Sequence, residues 1–142
     1  TGNSCRSVMA EALLKKILKE RNRSDIEVSS AGLMLLAGLG VSGGTREVLS
    51  REGIDVSTHY SQRVTKEMIK KSDFILVMEK VHQDGILKIA PEVKNRVFLL
   101  KEFAKINDNN LDIADPISKP LEFYEKTFAT IKEAVEKVSN LL

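Results

Sequence analysis

An α/β fold built on a parallel sheet is what this sequence predicts, and three observations predict it. Helical stretches alternate with short apolar runs, two of those runs are apolar without interruption, and the chain closes on a long helix with one apolar face. The elements follow in chain order. From Ser7 to about Arg21, the residues Met9, Ala10, Leu13, Leu14, Ile17 and Leu18 recur at spacings of three and four with lysines between them, which makes a helix with one buried stripe. Ile26 to Ser30 reads as a short strand running into Ser30-Ala31-Gly32. Leu33 to Gly44 is apolar and glycine-rich and reads as a loop. Thr45 to Glu52 is a short helix that Gly53 is placed to end, and Thr65 is placed to cap a helix through Lys71. Asp73 to Met78 is continuously apolar after its first residue, the pattern of a strand buried on both faces, and Arg96 to Leu100 is a second such run. At the end, Tyr124, Phe128, Ile131, Val135, Val138 and Leu142 are spaced 4, 3, 4, 3 and 4, with Pro120 near the start of the helix they define.

The 142 residues suit one compact domain, with no internal repeat, low-complexity stretch or linker. A composition of 42% hydrophobic and 30% charged residues supports one core in an ordinary soluble protein. The net charge of +2, with both signs interspersed, lacks the clustered basic face of a nucleic-acid binder. No stretch approaches the ~20 apolar residues of a membrane span, and no signal peptide is visible. The predicted partners therefore include neither nucleic acid nor membrane. A single cysteine, Cys5, leaves no internal disulfide and fits a reducing, cytoplasmic setting. The chain opens on Thr1 and not on methionine, so the natural N-terminus is expected upstream.

The informative residues come first: Thr1-Gly2-Asn3-Ser4-Cys5-Arg6-Ser7 runs directly into a helix. Gly2 and Asn3 tolerate unusual backbone angles, so successive amides can turn inward as a concave nest for an anion. The nest opens at a helix N-terminus, where free N–H groups and the dipole favour negative charge. Arg6 adds a planar, permanently charged fork suited to phosphate oxygens. The same residues also fit a plain helix start after a glycine turn, with Arg6 in solvent.

Thr1 to Ser7 followed by Met9-Ala10-Glu11 is similar to the phosphate loop of low-molecular-weight protein tyrosine phosphatases, in which a cysteine precedes this string to give Cys-(x)5-Arg-Ser. Four further segments match that family in order: Ser29-Ser30-Ala31-Gly32, Gly53-Ile54-Asp55-Val56-Ser57 with His59, Asp73 to Glu79, and Asp115-Pro116. The resemblance implies a three-layer, flavodoxin-like fold with a four-stranded parallel sheet. It implies Arg6 as the clamp on the phosphoryl oxygens, the amides of Thr1, Gly2, Asn3, Ser4, Cys5 and Arg6 as the cradle, and Asn3, Ser7, Ser30 and His59 as the network that shapes it. Ser7 would also stabilise the thiolate of the nucleophile. Asp115 would protonate the leaving group and then deprotonate the water that hydrolyses a phosphocysteine. No metal or other cofactor is implied, since amides and Arg6 carry the transition-state charge. The implied substrate is a phosphorylated protein, with inorganic phosphate and other oxyanions as product or inhibitors.

Each residue also has a plainer reading. Asp115-Pro116 opens turns, His59 fits a satisfied, partly buried histidine, Ser30 fits a strand end, and Cys5 fits a small buried hydrophobe. His82 is assigned nothing. The resemblance gives Cys5 a further role, a reversible disulfide with the nucleophile.

The sequence departs from the family pattern in two ways. The nucleophilic cysteine and the first, central strand are expected before Thr1, so residues 1–142 read as a single phosphatase domain lacking both, with a long apolar groove in the strand's place. Second, Ile117 follows Asp115-Pro116, Leu33 to Gly40 contains no aromatic residue, Val8 stands where proline is common, and Ser4 is small and polar. These features lean the substrate from phosphotyrosine towards phosphoarginine, whose charged guanidinium a small polar floor can seat. Three other readings remain. An arsenate reductase shares the loop but uses two further cysteines, and none follows Cys5. A dinucleotide-binding protein is suggested by Gly38, Gly40 and Gly43, without a convincing acidic residue about 20 positions on. A non-catalytic phosphate-binding module follows if no cysteine precedes Thr1.

Overall fold

The computed structural model describes residues 2–34, 40–106 and 108–142. Nine elements follow in order: helices α1 (Arg6–Glu20), α2 (Gly43–Ser50) and α3 (Lys66–Lys71), strand β1 (Ile75–Val77), helix α4 (Lys80–Ile89), a 3₁₀ helix (Pro91–Arg96), strand β2 (Val97–Leu99), a one-turn helix α5 (Leu100–Phe103) and the long helix α6 (Leu121–Ser139), among the described residues. The expected loop over Leu33 to Gly44 lies partly outside the described residues, and its far end already belongs to α2.

The termini form where the side chains provide for them. The Ser42 hydroxyl accepts the Thr45 amide at the start of α2, and the Thr65 hydroxyl accepts the Met68 amide at 3.1 Å at the start of α3. Beyond α2, Gly53 takes φ +73 while the Ile54 amide returns to the Leu49 carbonyl, so a residue without a Cβ closes the helix as expected.

β1 and β2 are parallel, with Ile75 opposite Val97, Leu76 opposite Phe98 and Val77 opposite Leu99. The two-residue period of the strands splits the core into layers. Leu76 and Met78 pack on one side with Met9 and Leu13 of α1, Val48 and Leu49 of α2, and Ile131 and Val135 of α6. Ile75 and Val77 pack on the other with Ile69 of α3, Ile86 of α4 and Val93. The result is a parallel sheet with helices on both faces, the predicted class.

The number of strands differs from the expectation. The sheet has two strands among the described residues, not four. Residues 26–31 are coil, and the nearest pairing is an isolated bridge between Gly32 and Arg63. The physical reason is a groove of about 1200 Å³, lined by Val28 on one flank, Leu76 and Met78 on another, Leu14 of α1 and Val138 of α6, with Gly2 to Arg6 at its end. A ladder needs a neighbour ~4.8 Å away, and this gap denies one to both β1 and residues 26–31. It also explains why Ile75 and Leu76 are only half-buried and Phe74 is exposed, where a strand buried on both faces is expected.

Gly44 carries a packing constraint. A Cβ there would lie 2.5 Å from the ring of Tyr124, which is itself 6% exposed and cannot swing away. Gly44→Ala is expected to destabilise the fold by roughly 1–3 kcal/mol, the usual cost of overpacking, read as a lower urea midpoint with an unchanged slope.

Candidate active site

The loop before α1 has the backbone the anion-nest reading requires. Asn3 sits in the left-handed region at φ 57, and the N-cap of α1, Cys5, makes no side-chain cap hydrogen bond. Among the described residues, the amides of 3–8 donate to no backbone carbonyl. A helix start with uncapped donors is a ready anion site.

Side chains hold this strained loop. The Asn3 amide nitrogen donates to Ser7 Oγ and to Ser30 Oγ, both at 2.8 Å. Asn3 Oδ1 accepts the Gln62 amide at 3.2 Å. Its carbonyl accepts the Ser61 hydroxyl at 2.6 Å and lies 3.3 Å from His59 Nε2. The Ser30 hydroxyl donates a hydrogen bond to the Glu11 carboxylate, which also lies 3.9 Å from His59 Nδ1. The four expected network residues, Asn3, Ser7, Ser30 and His59, therefore meet at one point. Glu11, Ser61 and Gln62 join them.

Arg6 lies on the other side of the loop and is 3% exposed. Its Nη1 donates to the Glu79 carboxylate and, at 2.6 Å, to the Ile113 carbonyl. Its Nη2 lies 3.4 Å from Asp115 Oδ2 without a hydrogen bond, and among the described residues it is the buried side-chain nitrogen or oxygen without a partner. Buried charge is tolerated only when paired. Glu79 supplies the pairing from the carboxyl end of β1, and the segment carrying Ile113 and Asp115 is tied there by the bond from the Ile113 amide to the Met78 carbonyl at 2.9 Å. Asp115 is half-buried, and its Oδ1 accepts the Ile117 amide at 3.1 Å, which is the turn reading of Asp115-Pro116, while its Oδ2 lies beside Arg6.

Cys5 is buried with its Sγ 3.1 Å from Ser42 Oγ and 4.0 Å from the Tyr124 hydroxyl. Burial raises the Tyr124 phenol above its usual range. Ser4 is buried, with its Oγ 3.7 Å from Cys5 Sγ. Thr1 lies outside the described residues, as does Gly38 of the Gly38, Gly40, Gly43 pattern. Gly43 is the first residue of α2, and most of the apolar run expected before it lies outside the described residues.

Two residues that the sequence reading passed over sit beside Arg6. Glu79 is the N-cap of α4 and forms a capping box with His82: its carboxylate accepts the helical amide and His82 Nδ1 accepts the Glu79 amide at 3.2 Å. A signal was present, an acidic residue directly after a buried strand and a hydrogen-bonding side chain three residues later. Burial, with Arg6 nearby, pushes the His82 imidazole below its usual range despite the opposing pull of Glu79 and Asp112. Among the described residues, no group of three or more His, Cys, Asp or Glu side chains is placed to hold a metal ion, and no helix is long and apolar enough to cross a membrane.

This fold and loop have known counterparts. The family described as low molecular weight phosphotyrosine protein phosphatase matches residues 1–142. A probable low molecular weight protein-tyrosine-phosphatase of Erwinia amylovora is 35% identical over 142 residues, covering 99% of this chain and 92% of its own. The protein-arginine-phosphatase of Geobacillus stearothermophilus is 34% identical, covering 100% of this chain and 91% of its own. An arginine phosphatase solved as a cysteine-to-serine mutant with a phosphorylated active-site serine superposes with a TM-score of 0.91 at 30% identity, covering 100% of this chain and 91% of its own. The chain belongs to the low-molecular-weight phosphotyrosine protein phosphatase family.

Two outcomes test the site as a structure. Asn3→Ala and Asn3→Gly both lose the side-chain bonds, but only alanine is strained at positive φ, so chemical denaturation should find the alanine variant less stable by about 1 kcal/mol. The second concerns pH. Because the folded His82 binds its proton less readily than the unfolded one, its contribution is full above about pH 6.5 and is lost as pH falls through the lower folded value. Stability should fall over that window in the parent, and His82→Asn, which does not titrate, should flatten that part of the profile.

Proposed function

We propose that this chain is a cysteine-dependent, metal-independent protein phosphatase that hydrolyses phosphoarginine or phosphotyrosine through a phosphocysteine. The observation that carries this reading is the buried Arg6 Nη2, 3.4 Å from Asp115 but without a hydrogen bond, at the open start of α1. A phosphoryl oxygen supplies the missing acceptor, and the amides of residues 1–6 supply donors for the others.

The nucleophile in this reading is a cysteine one position before Thr1, six before Arg6, at the end of a strand that fills the groove beside β1. The groove supports it by its volume of about 1200 Å³ and its apolar lining, which Gly2 to Arg6 share. Residues 1–142 and that strand then make one catalytic domain with a fuller sheet. Cys5 is a poorer candidate, since its thiol is committed to Ser42 and Tyr124 and it adjoins Arg6 directly. The thiolate attacks phosphorus, and the bond from phosphorus to the tyrosine oxygen or arginine nitrogen breaks. Asp115 gives its proton to that atom. Asp115 then takes a proton from water, whose oxygen displaces the thiolate and releases inorganic phosphate. In this reading Ser7, which accepts a hydrogen bond from Asn3, stabilises the thiolate.

Ser4 on the loop, Ile117 after Pro116 and the absence of aromatic residues from Leu33 to Gly40 favour phosphoarginine. The lone thiol favours a reducing, cytoplasmic setting. A second reading, a phosphate-binding module without turnover, applies if no cysteine precedes Thr1, since Cys5 is committed to its neighbours.

Intact mass and N-terminal sequencing of the native protein, with para-nitrophenyl phosphate turnover, test the proposal. A cysteine before Thr1 together with phosphate release supports it, and a cysteine there without turnover sinks the catalytic claim. Arg6→Lys should lower kcat/KM by roughly 10²–10³-fold, the usual cost of losing a transition-state donor. Asp115→Asn should slow phenyl phosphate far more than para-nitrophenyl phosphate, because the poorer leaving group depends more on its proton.

A further inference from the structure

We infer that His82 is a positioning residue for Arg6, acting through Glu79; the inference rests on the proposed role of Arg6 as the phosphoryl clamp. His82 is 8% exposed and lies in the first turn of α4. Its Nδ1 accepts the Glu79 amide at 3.2 Å, which requires the lone pair there and places any ring proton on Nε2. In return, the Glu79 carboxylate accepts a backbone amide of the first turn. The same carboxylate accepts Arg6 Nη1, which also donates to the Ile113 carbonyl. Glu79 is thus fixed at both its backbone and its side chain before it meets the guanidinium.

The consequence is directional. Arg6 comes from α1, and with Nη1 occupied by Glu79 and Ile113 its remaining freedom is rotation of the fork, which decides where Nη2 points. A bidentate clamp tolerates little such error. Without the His82 bond, the Glu79 backbone loses its restraint and the carboxylate loses its orientation, while Arg6 still has a counter-charge within reach. The expected defect is therefore one of oxyanion binding more than of folding. A simple helix cap predicts the reverse, since a cap changes stability and leaves the distant fork alone.

Orthophosphate titration of the chain followed by ³¹P NMR, with the Arg6 Nε–Hε signal read in parallel, separates the two. His82→Leu removes the acceptor, and His82→Asn restores one at nearly the position of Nδ1. The leucine variant should weaken orthophosphate binding by about fivefold or more, the scale of coupling between contacting groups, with the Arg6 signal exchanging faster. The asparagine variant should bind within about twofold of the parent, on the same scale. In a Glu79→Ala background, which removes the carboxylate through which His82 acts, His82→Leu should cost little further. Parental affinity and an unchanged Arg6 signal in the leucine variant would overturn the inference, as would an equal loss in the asparagine variant or an undiminished loss in the Glu79→Ala background. If the parent itself binds no orthophosphate, the phosphatase reading falls, and the Arg6 signal still reports whether His82 orders the guanidinium.

Discussion

The buried guanidinium of Arg6 is the constraint on which the rest of the molecule depends. A charge 3% exposed needs partners from the fold itself. Charge and partners come from three separated parts of the chain: α1 carries the charge, the carboxyl end of β1 brings Glu79, and the 112–115 segment brings the Ile113 carbonyl and the Asp115 carboxylate. The contact therefore fixes how helix, strand and loop meet. The bonds from the Ile113 amide to Met78 and from the Lys80 amide to Asp112 stitch the loop to the strand end on which Glu79 sits. Placing the charge at the carboxyl edge of a parallel sheet, beside a helix N-terminus, gathers the positive elements of the architecture in one place.

The opposite wall depends on Asn3. One side chain uses both ends of its amide, to Ser7 and Ser30 and from Gln62, while its own carbonyl takes Ser61 and faces His59. A left-handed residue has no regular ladder to hold it, so these bonds do so. The loop is thus clamped from both sides, and its amides at 3–8 make no backbone hydrogen bond among the described residues.

Legibility followed the range of the interactions. Helices α1, α2, α3 and α6 were readable because periodicity and caps are local: Thr65 acts within three residues, Ser42 does the same for α2 although its position read as loop, and of the stripe on α6 Tyr124, Ile131, Val135 and Val138 are buried while Phe128 and Leu142 are half-buried. Arg6, Asn3, Ser7, Ser30, His59 and Asp115 were found through ordered motifs, and the structure brings them into two adjoining clusters. Glu79 and His82 were missed because their role needs a partner 73 residues from Glu79 in sequence, a contact no local pattern encodes. The strand expected at Ile26 to Ser30 failed for the same reason. Its residues suit a strand, but a strand exists only where a neighbour offers a ladder.

That failure ties the fold to the chemistry. The groove beside β1 is lined by Leu14, Leu76, Met78 and Val138, side chains otherwise turned towards the core, and its end is the loop from Gly2 to Arg6. A strand laid there and continuing into that loop must run parallel to β1, because the loop lies at the carboxyl end of β1 and α1 then returns along the sheet. Its last residue would reach the mouth of the cradle. On the proposed reading, one segment would complete the ladder, cover the apolar lining and bring a reactive side chain near Arg6 Nη2. Sheet completion and delivery of that group would then be one structural event, and loss of stability and loss of activity would share an origin.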